Sequence, residues 1–299
     1  MRSSAGNWSR SAAAAAAVAT AAGLFAFFYP FVLPALVAAG ARDGAPRSAE
    51  ASILLAGVAA AAVAATVGGP GPGPGRVSSS RAVALLASLA ALVALLRLVP
   101  SIGGASLMFA PIVIAGAAFG PGFGYLLGVA AMMLSAVLTG GIGPWLPYQA
   151  LAAGWVGASA GLAVRLLGPR VGLRALAALA FGWGLVYGAL LNLYAWPFLA
   201  PGGLDGGLYW SPDAGFAENL HRYADYYLVT SLPHDLMRAV ANGVLVAALG
   251  RPMLRALRRA GSGGNWEDLG RERASPAASS LAWRAADTSV SPGPPGCKP

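Results

Sequence analysis

LVPSIGGASLMFAPIVIAGAAFGPGFGYLLGVAAMMLSAVLTGGIGPWLPYQALAAGWVGASAGLAV, residues 98–164, runs for 67 residues without an Asp, Glu, Lys, Arg or His. One helical membrane span takes about 20 apolar residues. A stretch of this length therefore crosses a bilayer roughly three times, and its helix breakers say where it turns. Pro100 with Gly103-Gly104, then GPG at 120–122, then GGIGP at 140–144 divide it into helices over about 105–119, 122–139 and 146–166.

Working outward, further uncharged runs cover 11–41, 51–75, 82–96 and 175–204, and a last helix begins near Pro233. Eight helices result, over about 11–38, 50–68, 82–99, 105–119, 122–139, 146–166, 173–199 and 231–257. Arg97 closes the third, where its side chain can snorkel to the interface. The composition agrees with an all-α integral membrane protein. Only 10% of the 299 residues are charged and 57% are hydrophobic, against about 25% charged in soluble domains. The lone cysteine, Cys297, excludes a disulfide scaffold, and His221 and His234 are too few for a zinc centre. The formal charge of +9 comes almost wholly from arginine, and no basic stripe interleaved with aromatics suggests nucleic acid.

The arginines instead set an orientation. Eight crossings put Arg2, Arg10, Arg76, Arg81, Arg165, Arg170, Arg174, Arg251, Arg255, Arg258 and Arg259 on one side, with the acidic 200–230 loop on the other. The positive-inside rule then places both termini in the cytoplasm of a multi-pass plasma-membrane protein. The apolar run at 11–30 is longer than a signal-peptide core and reads as a retained helix. Four segments follow: a two-helix membrane extension over 1–69, a Pro/Gly linker over 70–80, a six-helix substrate-binding membrane domain over 81–259, and a Ser/Ala/Pro/Gly-rich tail over 260–299 expected to be disordered.

Small residues mark the expected helix contacts. Gly124/Gly128, Gly157/Gly161 and Gly184/Gly188 are each four apart, the spacing that lets helix backbones approach in lipid. On the third helix Ala87/Ala91 and Ala90/Ala94 form two alternative small faces. FGPGFGYLLG breaks the G-x-G-x-x-G pattern at Tyr125 and follows no strand, so it is not a dinucleotide loop.

The uncommon polar residues gather by depth. Trp145, Tyr148 and Gln149 open the sixth helix on the outer side, Asn192, Tyr194 and Trp196 close the seventh there, and Asp235, Arg238 and Asn242 begin the eighth. Polar groups within a span are costly and usually face the bundle interior. Asp235 can cap its helix or pair with Arg238 three residues on; the cluster as a whole forms a candidate ligand pocket. Tyr209 and Trp210 suit an interfacial aromatic belt. Phe216, Leu220, Tyr223 and Tyr227 recur at helical spacing opposite Glu218 and Arg222, which fits an amphipathic helix on the membrane surface, with or without a lid role.

RAVALLASLAALVALLRLV, FAPIVIAGAAFGPGFGYLLG, TGGIGPWLPYQALAAGWVGASAG, NLYAWPF and HDLMRAVANGVLVAALGRPMLRAL together resemble the substrate-binding (S) component of energy-coupling factor (ECF) transporters, over about residues 81–259. The resemblance implies a six-helix membrane domain that captures a vitamin or related micronutrient from outside. It implies partners, a transmembrane coupling subunit and two cytoplasmic ATPases, with Ala87 and Ala91 at the docking face and the two N-terminal helices as additions. The chain itself would need no cofactor, and it carries no G-x-x-x-x-G-K-[ST] loop for ATP. Arg238 and Asn242 would hold polar ligand groups, and Trp145, Tyr148 and Trp196 would cover ring surface. Cobalamin and thiamine-like ligands both fit such a pocket. A stand-alone secondary transporter is the alternative, but midplane ionisable relays and inverted repeats are missing from the sequence. A membrane enzyme would need clustered acids, and Asp235 is the one acid near the membrane core.

Overall fold

In a computed structural model, residues 17–18, 20–31, 79–98, 106–168, 171–199, 206–211 and 213–262 are described. The chain divides into two compact units, Met1–Gly261 and Ser262–Pro299. The expected helix over 50–68, the linker ahead of Ser79 and the tail beyond Ser262 lie outside the described residues.

Every regular element among the described residues is helical. The α-helices are α1 Thr20–Phe31, α2 Ser79–Leu98, α3 Phe109–Phe119, α4 Pro121–Thr139, α5 Leu146–Leu167, α6 Leu173–Ala195, α7 Phe216–Tyr226 and α8 Leu232–Ser262. Short 3-10 turns at Trp196–Phe198 and Gly206–Leu208 follow α6, and a π-helical turn at Tyr227–Ser231 joins α7 to α8. Five helical runs are long and apolar enough to cross a membrane: Arg81–Leu98, Pro121–Thr139, Leu146–Leu167, Leu173–Ala195 and Phe216–Gly261.

Two elements depart from the sequence expectation. The helix expected over 105–119 is regular only for the 11 residues of α3, about 17 Å at 1.5 Å per residue, short of the ~30 Å hydrocarbon core. Gly120 ends it with φ +98°, a conformation open to glycine, and Pro121 starts α4 at once. The second departure is at Pro233, expected to begin a helix. Helix instead runs through it, unbroken from Phe216 to Gly261. Proline lacks the N–H for a regular i→i−4 bond, and the wider π turn immediately ahead absorbs the mismatch. The amphipathic segment is thus continuous with the last span.

Backbone contacts fix the directions. A Cβ on Gly124 would strike the Gly157 carbonyl, one on Gly128 the Ala153 carbonyl, and one on Gly161 the Gly120–Pro121 backbone. Helices α4 and α5 therefore run antiparallel at backbone contact, and theirs is the most extensive pairing in the molecule. Gly116 of α3 meets the same Gly157 carbonyl. Gly184 abuts Ala239 and Gly188 abuts Asp235, which sets α6 antiparallel to α8. All three glycine pairs thus pack within the chain. In lipid, where apolar tails offer helices no hydrophobic incentive to associate, this closeness supplies the van der Waals attraction.

On α2, Ala90, Val93 and Ala94 are buried, while Ala87 is exposed and Ala91 half-buried. The Ala90/Ala94 face is internal. Helix α1 joins the same core: Phe27 is buried against Tyr148 (ring centroids 5.1 Å) and Trp155 (5.9 Å), and the Trp155 indole N–H donates to Thr20 Oγ1 at 3.1 Å.

Two ends of the bundle result. Arg81, Arg165, Arg174, Arg251, Arg255, Arg258 and Arg259 lie at helix termini of one end. The C-termini of α2, α4 and α6 and the N-termini of α3, α5 and α8 meet at the other.

Gly157→Val should lower thermal stability by about 1–3 kcal/mol through backbone overpacking, read as earlier loss of monodispersity on heating in detergent. Gly182→Ala, whose added Cβ would meet nothing within 4 Å, should be neutral or slightly stabilising.

Candidate functional site

The end opposite the arginine cluster gathers the polar side chains. On α8, Asp235 and Arg238 are neighbours on one face and pair at 2.6 Å (Nη1 to Oδ1). The carboxylate is buried, and it fits only because Gly188 of α6 has no side chain there. The Asp235 Oδ2 atom has no hydrogen-bond partner among the described residues. Arg238 Nη1 also reaches the Gly184 carbonyl at 3.5 Å, and the guanidinium lies 6.0 Å from the centre of the Tyr187 ring. Tyr187 in turn meets Phe109, the first residue of α3, edge to face at 4.7 Å.

Asn242, one turn below Arg238, is fully buried and fully engaged. Its Oδ1 accepts from the Ala110 N–H at 3.2 Å, and its Nδ2 donates to the Ser106 carbonyl at 3.0 Å and the Arg238 carbonyl at 2.8 Å. The first N–H groups of a helix have no partner inside it, and α3 starts within the bundle. Asn242 supplies what water cannot. Its side chain is committed to holding the short helix in place.

Helix α5 contributes Tyr148 and Gln149. Tyr148 is buried and stacks at 4.1 Å, tilted, on Tyr194 of α6. Gln149 Oε1 accepts from Arg97 Nη2 at 3.0 Å, and Arg97 Nη1 donates to Ser135 Oγ at 2.6 Å. Arg97 does not snorkel outward as the sequence suggested; it turns into the bundle between α4 and α5.

The other expected site residues sit at the margin. Asn192 is half-buried and makes no side-chain hydrogen bond among the described residues. Trp145 is 44% exposed, its indole N–H donating to Gly141 of its own turn at 3.3 Å. Trp196 is fully buried in a separate aromatic cluster with Phe31, Trp210, Tyr223 and Tyr226. Its indole N–H donates to the Leu208 carbonyl at 2.9 Å. Trp210, expected in an interfacial belt, donates to the Pro30 carbonyl at 2.8 Å and helps tie α1 into that cluster. Tyr223 reaches the Ala189 carbonyl of α6, while Glu218 and Arg222 pair on the outer side of α7 as their spacing suggested.

The sequence pattern gave Arg97 an interfacial role only, and left Ser135 and Tyr187 unmarked. The signal for Arg97 was its position: an arginine at the helix end away from the basic cluster runs against the positive-inside pattern and calls for a reason.

Among the described residues no group of three His, Cys, Asp or Glu could hold a metal ion. No curated protein and no solved structure matches the chain. The family model for the ECF transporter substrate-specific component matches residues 81–250, more than half of the chain. The chain belongs to this family. This substrate-specific component is accordingly a multi-pass membrane protein of a transport system. Its family match runs from α2 into α8 and leaves out α1, although α1 is packed into the same core.

Arg238→Ala should destabilise this substrate-specific component by about 3–5 kcal/mol, since it strands a buried carboxylate. Asp235→Asn/Arg238→Leu together should recover most of that loss. Asn242→Ala should cost about 1–3 kcal/mol by orphaning the start of α3. Thermal denaturation in detergent reads all three.

Proposed function

We propose that this substrate-specific component captures a vitamin or related micronutrient from outside the cell and delivers it through an ATP-driven ECF module. The observation that carries the reading is the difference between the two ends of the bundle. One end ends in arginines; the other gathers Arg97, Tyr148, Gln149, Tyr187, Tyr194, Asp235 and Arg238 from four helices. Under the positive-inside rule the arginine end is cytoplasmic and the mixed aromatic and polar end is external. Tyr148, Tyr194 and Tyr187 offer ring faces, and Gln149, Asn192 and Arg238 offer hydrogen bonds; Trp145 stands at the rim. Such a mixture suits a small, partly flat ligand with a few polar groups. The aromatic cluster around Trp196 and Tyr223 would border such a ligand at the same end.

Docking to the coupling subunit would use α2. Ala90 and Ala94 are spent inside the bundle, which leaves Ala87 and Ala91 on the outward side with Ala84 and Ser88. Small side chains there let another membrane helix approach closely. The partner ATPases would bind and hydrolyse ATP. Binding would drive reorientation only through a difference in affinity between the outward and inward states.

Tagged protein expressed in its native host should bring down a coupling subunit and two ATPases, and uptake should stop on ATP depletion. Ala87→Trp should abolish that co-purification while the protein remains folded, whereas Ala90→Trp should disrupt folding. Uptake that survives ATP depletion, with no partner recovered, would instead identify a stand-alone secondary transporter.

A further inference from the structure

Three arginines are described at the ligand-facing end, and their charges are handled differently. Arg222 pairs with Glu218 on the outer side of α7. Arg238 pairs with the buried Asp235. Arg97 has neutral partners alone: Ser135 Oγ at 2.6 Å and Gln149 Oε1 at 3.0 Å. No described acidic side chain reaches it. Asp213 and Asp225, the remaining described acids, are exposed, and none exists anywhere between Leu98 and Val164.

The Arg97 site is built, not incidental. Ser135 is fully buried, and its hydroxyl is oriented by donating to the Met132 carbonyl at 3.1 Å. Gln149 is positioned by the first turn of α5, beside the Tyr148–Tyr194 stack. Ser135 and Gln149 hold the guanidinium plane with two hydrogen bonds. A guanidinium has five N–H donors and no acceptor, so most of its donor capacity stays available. Bringing a cation inside a membrane bundle without a counter-charge is costly. The other two arginines described here are paired with carboxylates, and this one has no carboxylate partner among the described residues.

We infer that Arg97 is the anion-recognition residue of the transported ligand, which carries a single carboxylate on a small, ring-bearing body. This inference rests on the transport reading above and narrows its substrate class. The charge count selects the carboxylate. With Asp235 cancelling Arg238, the described residues inside this end carry one net positive charge, which one carboxylate cancels. A phosphate monoester brings about −1.5 to −2 and would leave excess negative charge in a low-dielectric site. The planar guanidinium also matches a carboxylate in two parallel hydrogen bonds. Tyr148, Tyr194 and Tyr187 then lie where the rest of the molecule would pack.

The test uses the full-length purified protein in detergent, incubated with filtered yeast extract and washed, with retained small molecules identified by mass spectrometry. Wild type should retain a molecule bearing one carboxylate. Arg97→Gln should reduce its retention by about tenfold or more, and Arg97→Lys should restore part of it. Gln149→Glu gives Arg97 an internal carboxylate and should displace the acid while keeping the protein folded, which covers the case of an Arg97→Gln variant that does not fold. A retained molecule that is neutral, cationic or a phosphate ester, or equal retention by folded Arg97→Gln, overturns the inference and leaves the transport reading standing. Retention of phospholipid alone makes Arg97 a lipid contact and also overturns it. A wild-type protein that retains nothing and brings down no coupling subunit overturns the transport reading itself, and this inference with it.

Discussion

In the hydrocarbon core there is no water to satisfy a polar group, so every one carried there must find its partner inside the bundle. Asn242 shows this constraint most directly. A helix of 11 residues cannot bring both its ends to the membrane surface, so the first N–H groups of α3 fall within the protein. Asn242 on α8 closes that start through Ala110 and Ser106. The same demand pairs Asp235 with Arg238 under the open face of Gly188, and turns Arg97 onto Ser135 and Gln149. These three arrangements lie at one end of the bundle, with the Tyr187 ring 6.0 Å from the Arg238 guanidinium, and they are the polar groupings of helices that are otherwise mainly apolar.

Glycine makes that packing possible. Contacts at Gly124, Gly128, Gly157 and Gly161 bring α4 and α5 to backbone distance, and Gly116 draws α3 to the same place. Tight packing at the arginine end and middle of the bundle leaves the larger aromatic side chains to collect at the other end. There Phe31, Trp196, Trp210 and Tyr223 form a second cluster, which binds α1 and α7 over the helix ends. The residues that precede the family's match thus pack into the same end of the bundle.

Much of this was legible in the sequence because lipid imposes simple rules. Charge-free length located five of the eight expected spans, four-residue glycine spacing gave the helix contacts, and the arginine asymmetry separated the ends. Depth counting put Tyr148, Gln149, Tyr194, Asp235, Arg238 and Asn242 toward one end, where the Tyr148–Tyr194 stack and the Asp235–Arg238 pair form. What escaped depended on direction rather than depth. Whether Arg97 points to lipid or inward is decided by Ser135 and Gln149, 38 and 52 residues away, and no local pattern carries that. Trp196 and Trp145 were placed at the right depth, yet one faces a separate cluster and the other its own turn. The π turn before Pro233 was likewise invisible, since proline more often ends a helix than continues one.

The central claim is that the polar end opens to the outside and the arginine end to the cytoplasm. Single-cysteine variants test it, in a background where Cys297, the one native cysteine, is replaced by Ser. Asn192→Cys and Arg165→Cys would be exposed in intact cells to a membrane-impermeant maleimide. The account predicts labelling of Asn192→Cys in intact cells and of Arg165→Cys only after permeabilisation; the reverse pattern would contradict it.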